Sequence, residues 1–272
     1  MKKTFRREYH VLLAVASVFL YSGSAWADDV GEDHAEADSS GFTVLSNATN
    51  VTHWGLGVGG GVEASPYKNG NTKFSPIPLI SFENKWVHAF GTTVDLKIGK
   101  WDNVSFALRG DFAIGDGYKN SDAPILNGME NRGGAFWYGP ALAWKTAFGT
   151  LEGDYLLGGN KGERAKIDFS KSFDYGHFSF EPHAGVEWLS SKYVNYYYGV
   201  RSSEVRAGRP EYTGKAAYNM SVGTRVDYKF TRHQMVILDV GVSHSSSGIT
   251  NSPIVGRRYI PEARLGYLYQ FN

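Results

Sequence analysis

Two carboxylate pairs, Asp95 with Asp111 and Glu181 with Glu187, are of the type that glycoside hydrolysis uses, one carboxyl giving a proton while the other activates water or attacks. Their spacing along the chain fixes no separation in space, so the pattern specifies no reaction. His244-Ser245 sets a base beside a nucleophile, as a membrane phospholipase does. No third group can be assigned to it by spacing, and the run from Ser243 to Ser247 reads equally well as a polar strand end. Gly55-Leu56-Gly57-Val58-Gly59-Gly60-Gly61 matches a phosphate-binding loop only as a string. It lies within a strand pattern with no helix after it, where glycine serves curvature or close backbone approach. His53, His88, His177 and His233 are scattered without metal-ligand spacing. With no cysteine in the chain, disulfides, thiol catalysis and Cys-ligated metals are excluded. The residues therefore point to no enzyme, no cofactor and no metal site.

Whatever these groups do, strands must hold them. Apolar residues alternate with polar ones at period two along most of the chain, the signature of strands with two unlike faces. Tyr218, Met220, Val222, Thr224, Val226, Tyr228 and Phe230 share one face, while Asn219, Ser221, Gly223, Arg225, Asp227 and Lys229 share the other. The same division separates Val104, Phe106, Leu108 and Phe112 from Ser105, Arg109 and Asp111. It recurs between Phe178, Phe180, Ala184, Val186 and Trp188 and their neighbours Ser179, Glu181, His183 and Glu187. A soluble sandwich also alternates, but soluble strands average five or six residues, and these segments are about twice as long. Aromatics gather near the ends of the apolar face and charged residues occupy the opposite one, as in a barrel with lipid outside and a polar lumen within.

Export fits the same picture. Lys2, Lys3, Arg6 and Arg7 precede an apolar run over residues 11–21, and Ala25-Trp26-Ala27 offers a signal-peptidase site. That run is too short to span a bilayer as a helix. Residues 1–27 are therefore read as a signal peptide cleaved after Ala27, residues 28–41 as an acidic flexible linker, and residues 42–272 as the barrel. Gly 33 and a charged fraction of 20% argue against a charged coiled coil, and a net charge of +1 gives no footprint for nucleic acid. The fold class is all-β, an antiparallel transmembrane β-barrel of the outer-membrane type with about 12 strands, ten being the alternative.

The strand count rests on turns. Eleven segments are legible, near 54–65, 73–84, 88–99, 103–116, 134–146, 149–158, 165–173, 177–190, 216–230, 233–246 and 259–271. Bacterial barrels have even strand numbers with short periplasmic turns, so residues 42–51 are read as a twelfth strand leading up to an inward-running 54–65, with 83–87 as a short outer turn. Asp95, Lys97, Arg109, Asp111, Glu181, His183, Glu187, Arg225, Asp227 and Arg264 then face inward as a candidate lumen network. A ring of one sign would select ions, whereas interleaved signs pair with each other and fill a small barrel. Arg201, Arg206, Arg209, Arg257 and Arg258 fall in the longest C-terminal loops, where their forks match lipopolysaccharide phosphates or stay solvated.

Several strings are similar to those of one known family. Leu126-Asn127-Gly128-Met129 with Arg132, Tyr196-Tyr197-Tyr198-Gly199-Val200, Ser252-Pro253-Ile254-Val255 and the terminal Tyr267-Leu268-Tyr269-Gln270-Phe271 resemble the MltA-interacting protein (MipA) and OmpV family of outer-membrane proteins, along essentially the whole mature chain. The resemblance implies an outer-membrane barrel acting as a scaffold that links a lytic transglycosylase and a penicillin-binding protein in murein synthesis. It implies no catalytic residue. The partners expected are outer-membrane lipid and lipopolysaccharide, murein-synthesising and murein-cleaving enzymes, and the barrel-assembly machinery, whose terminal aromatic signal is displaced one place here by Asn272. A small-solute diffusion pore and a surface adhesin, the latter using residues 191–215, are the alternative functions.

Overall fold

In the computed structural model, residues 42–44, 50–113 and 117–271 are described; the expected signal peptide and acidic linker lie outside them. The alternating segments form strands: β1 (Thr43–Val44), β2 (His53–Glu63), β3 (Lys73–Glu83), β4 (Val87–Phe90), β5 (Thr93–Trp101), β6 (Val104–Phe112), β7 (Phe136–Thr146), β8 (Gly149–Leu157), β9 (Glu163–Ser170), β10 (Phe173–Tyr175), β11 (Phe178–Leu189), β12 (Ala217–Lys229), β13 (Gln234–Ser245) and β14 (Tyr259–Gln270). Two short helices, α1 (Ser191–Tyr198) and α2 (Ser247–Thr250), lie in the connections. Twelve strands pair antiparallel in a ring, β2 to β9 and β11 to β14, which closes where β14 meets β2 and where β5 meets β6. A closed ring leaves no backbone edge to satisfy in lipid, the condition on any sheet that spans a membrane. The two remaining strands are fragments. Thr43 pairs with Lys100 at one end of β5, and β10 continues the ladder of β9 along β11 after a break at residues 171–172.

The even count agrees with the sequence reading, but the chain reaches it by a different partition. The segment near 88–99 is two strands, β4 and β5, folded at Gly91, whose φ of 61° takes the left-handed turn that glycine adopts without strain. Residues 42–51 are not the twelfth strand: among the described residues they contribute β1 alone, and residues 45–49 lie outside the description. Gly55 lies opposite Gln270, so β2 starts at the periplasmic rim and runs outward, the reverse of the direction expected. Residues 84–86 consequently turn at the periplasmic rim, and the short outer turn is Gly91-Thr92. The long connections 64–72, 158–162, 190–216 and 246–258, and the described part 117–135 of another, fall on the opposite, extracellular rim.

Side chains divide by face as the alternation requires. Val58 at 72% exposure, Leu108, Ile167, Val222 and Leu265 point outward, and the lumen-facing Arg264 at 1% and Asp111 at 0% are buried. Aromatics ring both ends of the outer surface. Trp54 stacks on Phe271 with centroids 4.0 Å apart at the periplasmic rim, and Phe112 packs on Phe136 at 4.6 Å near the other. The glycine run lies in β2 on the closing seam. A Cβ on Gly57 would collide with the carbonyl oxygen of Tyr267, so the seam closes only because that face of β2 is bare.

Candidate functional site

The period-two alternation delivers the charged residues to one interior, and antiparallel register sets opposite signs beside each other. Asp95 lies directly across from Arg109, Glu181 from Arg225, Arg225 from Asp239, and Asp239 from Arg264. Arg109 donates to both oxygens of Asp95 at 2.8 Å, to Asp154 at 3.0 Å, and lies 3.7 Å from Glu152. Arg164 pairs with Asp111 and reaches Glu187 at 3.9 Å, and Lys166 meets Asp168 at 3.0 Å. On the other side of the lumen, Arg264 bonds Glu262 at 2.5 Å and approaches Asp239 at 3.6 Å, and the same carboxylate lies 3.2 Å from His183 Nε2. Arg225 pairs with Asp227 at 2.8 Å, and Ser172 donates to Glu181 at 2.7 Å. Lys97 bonds Glu83 and donates to the carbonyl of Asn84 at 2.7 Å.

All ten residues singled out from the sequence therefore take part in contacts of this interior. Those missed are Glu83, His88, Glu152, Asp154, Arg164, Lys166 and Asp168. The last five show the same period-two spacing, Glu152 with Asp154 and Arg164 with Lys166 and Asp168, and that signal could have found them. Glycines make room: a Cβ on Gly223 would strike the His183 ring 2.5 Å away. The space left between Arg109, Glu152, Gly153, Asp154, Lys166 and Asp168 is about 10 Å³, close to what a single water needs. Nearer the periplasm the lumen is apolar instead, with Ile77, Leu79, Phe90, Ile237 and Leu268 in one buried cluster.

A folded cap lies at the extracellular end. Ser190 accepts from the N–H of Tyr193 at 3.2 Å and so starts α1, whose Val194 packs with Tyr67, Leu126, Met129, Val200, Ile249 and Ile254. Within the cap Arg132 donates to both oxygens of Glu204 at 2.8 and 2.9 Å, both side chains buried. Burial alone would raise the Glu204 carboxyl, but the N–H groups of Arg201 and Glu130 and the Arg132 guanidinium overrule it and hold it below the ordinary carboxylate value. Burial pushes the neighbouring Tyr118 phenol up to about 12. Arg209 donates to the carbonyls of Ile125, Asn127 and Glu204, Arg206 to those of Asn127 and Pro124, and Arg201 pairs with Glu130. Three of the five loop arginines are thus engaged within the cap itself. The Arg132–Glu204 pair joins residues 72 apart, and no local pattern signals it.

Among the described residues, the hydrolytic candidates of the sequence do not come together. His244 and Ser245 are consecutive in β13 and so point to opposite faces; His244 packs on the Tyr259 ring at 4.8 Å. Glu181, Glu187, Asp95 and Asp111 each face a cation or hydroxyl donor rather than an open cleft. Among the described residues no group of three or more His, Asp or Glu side chains is placed to hold a metal.

The family model of MltA-interacting protein MipA matches residues 56–271. The chain belongs to that family. Its members include the MltA-interacting protein of Escherichia coli K12, 26% identical over 84% of this chain and 96% of that protein. OmpV of Vibrio cholerae is 27% identical over 61% of this chain and 63% of its own length. Among solved structures, a loop-deleted OmpT outer-membrane protein of Vibrio cholerae aligns over 82% of this chain and 99% of that one, at 6% identity and a TM-score of 0.36. Family membership and the closed twelve-stranded ring together make this protein an outer-membrane β-barrel.

Proposed function

We propose that the protein is a closed, non-enzymatic barrel that anchors murein-processing enzymes at the inner face of the outer membrane. The observation that supports this reading is the pairing within the lumen: interleaved cations and carboxylates meet strand to strand, with an apolar cluster below them and a packed cap above. A diffusion pore is built the other way, with charged groups lining water rather than each other. The Escherichia coli relative is named an MltA-interacting protein, and the family resemblance implies a lytic transglycosylase as the partner class. The turns at the periplasmic rim, such as 102–103 and 147–148, are too short to hold a partner alone. The contact is therefore assigned to the segment before β2, above all the acidic residues 28–41. Six carboxylates there attract a basic partner surface, an interaction that salt near 0.5 M screens strongly.

The test is capture of murein enzymes from a detergent extract by the full chain and by a chain lacking residues 28–41. Capture by the full chain, lost on deletion while the barrel stays folded, supports the reading. Capture unchanged by the deletion moves the contact to the rim, and no capture by either chain overturns the scaffold.

A further inference from the structure

The cap engages Arg201, Arg206 and Arg209, which leaves two of the loop arginines unused. Arg257 and Arg258 are exposed, and among the described residues neither side chain meets an acceptor. The connection 64–72 brings a third cation to them. Lys68 donates its N–H to the carbonyl of Ile254 at 2.9 Å, and the N–H groups of Gly256 and Arg257 reach the carbonyl of Pro66 at 2.8 and 3.3 Å. Tyr67 and Val255 bridge the same two loops. A Cβ on Gly256 would lie 3.0 Å from the Lys68 Cα, so glycine lets the two backbones touch just before Arg257. Lys68 is exposed as well, and its ammonium meets no acceptor among the described residues.

The patch carries no counter-ion of its own. Residues 64–72 and 246–258 hold three cations and no aspartate or glutamate. The nearest carboxylates along the chain, Glu63 and Glu262, lie across from each other in the ladder of β14 with β2, and Glu262 is bound to Arg264 in the lumen. Lys73, the next cation along the chain, donates instead to the carbonyl of Gly117 at 2.9 Å. In the lumen and in the cap, charges of one sign stand beside the other, and this cluster departs from that pattern. Like charges held together raise each other's energy, and a multivalent anion relieves it.

The place of the patch in the wall selects the anion. Arg257 and Arg258 immediately precede β14, whose first residue, Tyr259, is 64% exposed. Lys68 lies on the connection into β3, whose Phe74 is equally exposed at 64%. Tyr259 and Phe74 belong to the aromatic ring at the extracellular boundary, and aromatic rings of this kind sit at the level of the lipid headgroups. The cations therefore stand where the phosphates of the outer leaflet lie, above the outward apolar side chains Val62 and Leu265. We propose that Lys68, Arg257 and Arg258 form a binding site for the phosphate groups of a phosphorylated glycolipid of the outer leaflet, whose acyl chains lie against the outer wall of β14, β2 and β3. Guanidinium forks match phosphate oxygens in pairs, and the lysine adds a point charge. The site is on the rim opposite the contact assigned to murein enzymes, so it stands or falls independently of that reading.

In the test, the full chain in a non-ionic detergent is titrated with an acylated glucosamine disaccharide carrying phosphate on both sugars, and with the same lipid stripped of phosphate. Bound lipid is counted by native mass spectrometry. The phosphorylated form is expected to bind tighter by about tenfold or more. Lys68→Gln combined with Arg257→Gln and Arg258→Gln should abolish that preference. Lys100→Gln combined with Lys229→Gln and Arg232→Gln, which removes as much charge from exposed positions on the periplasmic rim, should keep it. Altered gel mobility on heating checks that each variant is folded. Equal binding of the two lipids by the unmodified chain would overturn the proposal, because acyl contact alone would then account for binding. A preference kept by the first variant, or lost equally by both, would overturn it too.

Discussion

Arg109 bridges Asp95 on β5 to Asp154 on β8 across the interior. Burying such charges costs desolvation energy that their mutual attraction repays only while every partner is present. Asp95→Leu, which strands the guanidinium, should lower the unfolding free energy in detergent by about 3–5 kcal/mol. The double change Asp95→Leu with Arg109→Met should recover most of that loss in the same urea titration. Equal losses for the single and double changes would show that the pair does not act as a unit. Much of this layer was legible, because alternation assigns a face to each residue once a strand is recognised. The charges of β8 and β9 were overlooked although both segments read as strands and the same period-two alternation carries Glu152, Asp154, Arg164, Lys166 and Asp168. The cap pair Arg132–Glu204 was illegible for a different reason: it joins two loops, and loop-to-loop contacts leave no period in the sequence.

At the scale of elements, the outer faces and the cap make separate predictions. Val222 is 56% exposed on the lipid face of β12, so Val222→Arg should reduce folding into vesicles by about 2–4 kcal/mol, with Val222→Leu as the neutral control. The cap depends on Glu204, whose folded-state value is depressed below its ordinary one. Such a group contributes stability that is present above the unfolded value and lost as pH falls through the folded one. Protease resistance of residues 190–216 should therefore hold from neutrality down past the ordinary carboxylate range and fail only below it. Glu204→Gln should lower protection at neutral pH by about 1.5–3 kcal/mol and flatten the acid response, read by amide exchange across the same loop. Strand number was legible from the even-number rule, but strand identity was not where local punctuation was weak. Gly91-Thr92 is one turn of two residues inside an apolar stretch, so β4 and β5 read as a single strand. Residues 42–51 read as a strand of their own on the alternation of Phe42 and Val44 with Thr43 and Leu45. The direction of β2 depended on that misplaced pair and reversed with it.

For the whole molecule, ion pairs occupy the lumen, with one apolar cluster nearer the periplasm and another in the extracellular cap. Closure is what separates an anchor from a channel, and neither the strand count nor the mixed charge of the interior decides it, since twelve strands can enclose a filled or an open interior. What decides it is whether the charges meet each other or water, a matter of side-chain contact that the sequence left open. Planar-bilayer recording on the purified full chain at neutral pH tests this most directly. The account predicts insertion without steady current under an applied potential; stable, stepwise open-channel current would contradict it.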